Sequence, residues 1–294
     1  MKDFPFQSNR MFPNALTCAM FGRMVAFVVL LQLLSGCSVM TGLLHYFQPT
    51  DHFAVLQSEK RVRFEKGAED FALKIAAVIP DAVQAVEQAQ FGTFQEPVRV
   101  NACKTPESFN KLTGRKVKGL MYRGMVFLSP RLMERPEEIR EYVTHELSHL
   151  LLLQYIGLYR YLVLPPWFLE GLAVSVSGGG GAGTVSEKEA VEFILSGKSF
   201  EPHTAGGLLD ILFPKYGSHW GLKPHMFYRQ SSVFVNHLKE KDEKAFRTLL
   251  VSLQEGKAFS QAFDQAYETT VREEWRSFVG HLKDDLQFRR GEEE

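Results

Sequence analysis

Cysteine is scarce in this chain of 294 residues: there are three, Cys18, Cys37 and Cys103. Three is too few for a disulfide framework. Net charge is missing as well. Lysine plus arginine and aspartate plus glutamate number 34 each, so the basic footprint of a nucleic-acid binder is absent and no nucleic-acid partner is expected. The apolar run Met24–Leu34, with only Gln32 inside it, is 11 residues long, whereas a helix needs roughly 20 to cross a bilayer. No internal repeat is evident. The glycine-rich stretch SGGGGAG, Ser177–Gly183, lacks the Gly-Lys-Ser/Thr ending of a phosphate-binding loop and reads as a flexible connection. What is left is ordinary globular material, 45% hydrophobic and 23% charged, enough for one large domain or two small ones.

The N-terminus carries more information. Arg23 followed by Met24–Leu34 has the make-up and length of a signal-peptide apolar region. The next residues, Leu34-Ser35-Gly36-Cys37, resemble the lipobox of bacterial lipoproteins, in which small residues precede a cysteine that is lipidated and becomes the new N-terminus. The resemblance implies a lipoprotein signal peptide over residues 1–36, removal of Cys18 and acylation of Cys37. Ser38 after the cysteine resembles the outer-membrane sorting pattern, which implies a lipid-anchored protein of the bacterial envelope facing the periplasm. The leader is long, and Met11, Met20 and Met24 are alternative starts. Cys103, in the alternating PVRVNACK, is then a lone thiol and is expected to be buried and structural.

Residues 37–52, including HYFQPTD, read as a tether. A short strand is expected near Phe53–Leu56, then helical text from Gly67 to Ala89 that Pro80 breaks or kinks. Pro97–Cys103 alternates as a strand does. TPESFNKLTG is a helix capped by Thr105 and closed by Gly114. GLMYRGMVFLS, Gly119–Ser129, reads as a strand or hairpin, and the pattern from Pro136 onward is mostly helical, interrupted by Ser177–Gly183 and by Pro214–His225.

The chemistry concentrates in HELSH, His145–His149. Residues four apart lie on one helix face, so His145 and His149 can grip one ion while Glu146 projects beside them. Zinc takes nitrogen and oxygen ligands tetrahedrally and keeps a position for water at catalytic sites. Glu146 would take the proton of that water as it attacks a carbonyl. A third ligand is offered by PPWFLEGLA, Pro165–Ala173, 21 residues beyond His149 at Glu170. Pro165 and Pro166 start a helix, and a glutamate among Leu169, Gly171, Leu172 and Ala173 is costly to bury unless it is paired or metal-bound. The small Gly171 and Ala173 would let this helix pack closely on the one carrying the histidines. A chain that ends its first helix near Gly157 can return to bring Glu170 across it. His145, His149 and Glu170 together make the two-nitrogen, one-oxygen set of thermolysin-type zinc sites.

HELSH followed by WFLEGLA resembles the gluzincin metallopeptidases, in particular the bacterial peptidase-MA-like family. That resemblance implies an α+β, zincin-like fold: a small mixed sheet, an active-site helix and a largely helical C-terminal part, divided here as 53–176 and 177–294. It implies zinc as cofactor, with His145, His149 and Glu170 as ligands and Glu146 as catalytic base. Related enzymes place an oxyanion-binding tyrosine where Tyr228 begins a helix, and His219 and His225 compete for that role. Aminopeptidases of the related clan bind the substrate's amine through a glutamate, and Gly119–Ser129 contains no acidic residue. The expected function is therefore zinc-dependent peptide hydrolysis, endopeptidase rather than exopeptidase, on a peptide or protein substrate. The alternative is a non-catalytic zinc-containing envelope lipoprotein that binds a peptide or cell-wall polymer.

Overall fold

The computed structural model of the protein describes residues 48–204 and 206–292. The expected signal peptide at 1–36 with Cys18, the expected lipidation site Cys37 and the expected tether as far as residue 47 lie outside the described residues. Five short strands form one mixed sheet: β1 (Ala54–Val55), β2 (Val62–Phe64), β3 (Val100–Ala102), β4 (Gly119–Tyr122) and β5 (Met125–Leu128), in the order β1-β2-β3-β5-β4. The inner strands run parallel, with Val100 opposite Val62 on one side and Val126 on the other. Both edges pair antiparallel. All three residues of β3 are buried, as a central parallel strand demands. The β4–β5 hairpin turns on Arg123 and Gly124, both left-handed (φ 56° and 69°), the geometry of a two-residue turn that follows the twist of its strands.

Helices cover both faces of the sheet. α1 (Glu69–Ala89) runs unbroken through Pro80, against the expected break. Pro80 is exposed and removes one backbone bond, at a cost of about 3 kcal/mol. The same helix buries Phe71, Ile75, Ile79 and Val86, each contributing about 1.5–3 kcal/mol, so packing outweighs the missing bond. α2 (Pro106–Thr113) has the expected caps: Thr105 and Ser108 form a reciprocal capping box, and Gly114 closes the helix at φ 69°. Beneath it Phe53, Cys103, Phe109 and Phe127 pack on one face of the sheet, which makes Cys103 a buried thiol raised by burial.

The other face meets α3 (Ile139–Leu162), the helix that carries HELSH. Gly157 interrupts it with φ 74° and ψ 165°, a conformation for glycine, close to where the sequence places its end. Then follow α4 (Pro166–Ser177), α5 (Glu187–Leu195), α6 (Leu208–Leu212), α7 (Pro224–Lys241), α8 (Glu243–Gln254), α9 (Phe259–Tyr267) and α10 (Val271–Glu292). The fold is thus mixed α and β and mostly helical, with a small five-stranded sheet.

Residues 49–294 make one compact unit with two main cores. Val143, Leu147, Leu150 and Leu151 of α3 join the strands and α1. Leu152 and Ile156 join the helical core instead, with Trp167, Phe168, Phe234 and Phe259. The packing changes partner within α3, and α4 sits in the helical core. Among the described residues no helix is long and apolar enough to cross a membrane.

Candidate metal centre

The helical period explains why α3 can serve both cores and a site. Positions 143, 147, 150 and 151 form the stripe facing the sheet and α1. Positions 145, 149, 152 and 156 form another stripe, whose last two members enter the helical core. His145 and His149 therefore lie one turn apart at the seam, both buried. α4 reaches the seam because its first turn is anchored. Trp167 is fully buried among Phe168, Phe200, Phe234 and Phe259, and its indole N–H donates to the His203 carbonyl at 3.0 Å. Glu170, one turn on, is directed at the histidines.

The three side chains meet. Nε2 of His145 and Nε2 of His149 are 3.2 Å apart, and Oε2 of Glu170 is 3.5 Å from the first and 3.7 Å from the second. The point equidistant from these atoms lies about 2.0 Å from each, the length of a bond from imidazole or carboxylate to a small divalent metal. This group can hold a metal ion. Charge is balanced within it: burial opposes ionisation of Glu170, yet the two imidazoles hold its carboxyl at about 2. Burial alone would lower His145, and Glu170 reverses that, raising it.

Glu146 stands beside the triangle without joining it. Its Oε2 accepts the Met121 N–H of β4 at 2.6 Å. A Cβ on Gly119 would lie 3.2 Å from the Glu146 Oε1, so the absence of a side chain there leaves the carboxylate its space. Burial raises the Glu146 carboxyl above the usual range, against the pull of His145, His149 and the Met121 N–H.

Three tyrosines surround the triangle. The Tyr228 ring stacks at 6.4 Å from that of His145, and its hydroxyl is driven far up by the charge of Glu170 and by burial. Tyr161 meets His149 edge-on at 6.3 Å, and burial followed by the charge of Glu170 pushes its hydroxyl well up. Tyr216 is pushed up to about 12 by burial of its hydroxyl and by Glu170. The competing histidines have other partners. His219 is exposed and packs edge-on against Trp220, while exposed His225 bonds the Gly181 carbonyl at 2.8 Å.

Two expectations about glycine need correction. Gly171 does not allow close approach to α3; a Cβ there would lie 2.6 Å from the Ser231 carbonyl oxygen, on α7. Nor is the loop at Ser177–Gly183 a loose connection. A Cβ on Gly180 would lie 2.6 Å from the Glu141 carbonyl, and one on Gly181 would lie 2.8 Å from Cε1 of His145. The loop is thus a wall against the first turns of α3, possible because it carries no side chains. Nδ1 of His145 is buried against this wall, beside the Gly180 backbone, without a well-formed hydrogen bond.

Compared with known proteins, the chain matches no protein-family model and no curated protein sequence.

Tyr161 and Tyr216 are the neighbours that the sequence did not single out. Their only signal is position: Tyr161 lies between His149 and Glu170, and Tyr216 falls in the Pro214–His225 loop. A groove of about 910 Å³ is lined by Lys60, Arg63 and Arg99 near β2 and β3 and by none of the triangle residues.

Proposed function

We propose that the protein is a zinc-dependent endopeptidase of the gluzincin type, with a zincin-like fold, held at the bacterial outer membrane by a lipid on Cys37. The observation that carries this is the His145–His149–Glu170 triangle with the non-ligating Glu146 beside it. Two imidazoles and one carboxylate are a catalytic zinc set, whereas a structural zinc is closed by four protein ligands. Among the described residues no fourth donor joins the group. When bound, zinc supplies polarisation of a carbonyl and acidification of a water.

The chain's own residues do the rest. Met121 N–H fixes Oε2 of Glu146 and leaves Oε1 to accept the proton of the attacking water. The raised carboxyl suits a base that must be ionised near neutral pH and still bind a proton. Tyr228, whose hydroxyl keeps its proton, is a donor at neutral pH, and we assign it the hydrogen bond to the developing oxyanion. β4 is a sheet edge next to α3, an edge to which an extended peptide adds as a further strand. It contains no carboxylate to grip a free amine, which favours internal cleavage.

The test is metal analysis of the purified protein beside a proteome-wide cleavage profile with and without a chelator. The expected result is about one zinc per chain and internal cleavages that the chelator abolishes. Stoichiometric zinc with no cleavage of any peptide would contradict the proposal.

A further inference from the structure

Exposed large hydrophobic side chains are not scattered over this molecule. Ten are found among the described residues, and seven of them fall in two segments, 158–162 and 209–216. Leu158 and Tyr159 are 60% and 62% exposed on the stretch of α3 beyond Gly157; Leu209, Leu212 and Phe213 are 70%, 59% and 74% exposed on and just after α6. The two segments are neighbours. Tyr159, Arg160 and Val163 line one groove together with Gly206, which lies just ahead of the second segment. Patches of this kind mark interaction surfaces.

The shape and charge of the patch select the occupant. A peptide or small-molecule site is concave and buries what it binds. These side chains stand out from a helix end and from a single helical turn, and protruding apolar side chains are suited to entering a lipid interface. The groove between the segments carries Arg160 and Lys257, no acidic residue and otherwise apolar or small residues. Lys215 adds a third cation beside Phe213. Asp210, the acidic residue of the second segment, is engaged with the backbone N–H groups of Gly206 and Gly207. Tyrosines beside cations among aliphatic side chains suit the headgroup boundary of an anionic bilayer.

We infer that the folded unit itself docks on an anionic lipid surface through Leu158, Tyr159, Leu162, Leu209, Leu212 and Phe213. Because Tyr161, on the same stretch of α3, packs edge-on against His149, docking brings the candidate metal centre towards the membrane surface. Its ligands would then be polypeptide segments at or just outside the bilayer. The docking itself does not depend on the site being catalytic. It would add to any N-terminal anchor, as stable attachment takes two signals.

The experiment uses the full chain on vesicles of three parts phosphatidylcholine to one part phosphatidylglycerol. Tryptophan is introduced as Phe213→Trp or, as a control outside the patch, at the exposed Leu73 as Leu73→Trp. Lipids brominated on the acyl chains should quench the added fluorescence about twofold at position 213 and leave position 73 unchanged. The double variant Leu209→Asp/Phe213→Asp should melt as the wild type does, and its vesicle partitioning should fall about tenfold. Absence of quenching at 213, as expected if the chain's own apolar N-terminal run or a protein partner covers the patch, would overturn the inference. Equal quenching at 213 and 73, or unchanged partitioning of the double variant, would overturn it as well.

Discussion

Gly171→Ala tests the architecture of the site without touching a ligand. The added Cβ would sit 2.6 Å from the Ser231 carbonyl oxygen and 2.8 Å from both the Ser231 carbonyl carbon and Cγ2 of Val235. Two of these three atoms are backbone, so relief requires α4 and α7 to separate rather than one side chain to turn. Overpacking of this kind costs about 1–3 kcal/mol, and alanine returns about 1 kcal/mol of helix propensity. The net loss is about 0–2 kcal/mol, which lowers Tm by up to about 8 °C for a unit of this size. Glu170 precedes Gly171, so its Oε2 moves with α4 by more than the roughly 0.2 Å that a metal bond tolerates, and zinc affinity should fall about tenfold or more. Gly280→Ala is the control: it is also helical, nothing lies within 4 Å of its added Cβ, and it should leave zinc affinity alone and raise Tm slightly. The assays are thermal melts with and without zinc and competition against a chromophoric chelator. A Gly171→Ala protein with wild-type Tm and zinc affinity would refute the close α4–α7 packing and its link to the metal centre.

Glu170→Ala should lose most of the zinc, since two histidines alone make a poor site, and full occupancy in that variant would remove Glu170 from the ligand set. Stability should depend on pH in opposite senses with and without metal. In chelator-treated protein, the raised His145 contributes stability below about pH 6.5 that is lost as pH rises through its folded value. Glu170, held at about 2, contributes above about pH 4.5 and is lost as pH falls towards that value. Zinc needs neutral imidazoles, so the Tm gained on adding zinc should grow from about pH 5 to about pH 8, and a gain independent of pH would contradict ligation by His145 and His149. Tyr228→Phe should keep zinc and lose roughly ten- to a hundredfold in kcat, while an unchanged kcat would limit Tyr228 to packing against His145.

How much of this was legible in the sequence depended on the range of the interaction. Helix spacing alone puts His145 and His149 together, and the cost of burying Glu170 among apolar neighbours identified it as the carboxylate that meets them. The caps of α2 were local and readable in the same way, while the pattern of Gly119–Ser129 fits a strand and a hairpin alike. Gly171 announced a close approach, but a missing side chain does not name its partner, and the partner proved to be Ser231 some 60 residues on. The glycine run at 178–181 carried no apolar pattern, so its role as a wall on α3 is visible only in three dimensions. Pro80 misled because its penalty is local, while the burial that outweighs it is set by the sheet and α3. Tyr161 and Tyr216 reach the site only through the break at Gly157 and the Pro214–His225 loop.

The most direct measurement is a pairing of zinc content and peptide-cleavage rate on one sample of Glu146→Gln protein. Glu146 is not one of the three metal donors, and its Oε2 contact to the Met121 N–H can be kept by the glutamine oxygen. Zinc content and Tm should therefore match the wild type. The cleavage rate should fall by about two or more orders of magnitude, the scale for losing a general base. A Glu146→Gln protein that holds zinc and cleaves at the wild-type rate would contradict the general-base mechanism proposed for this centre.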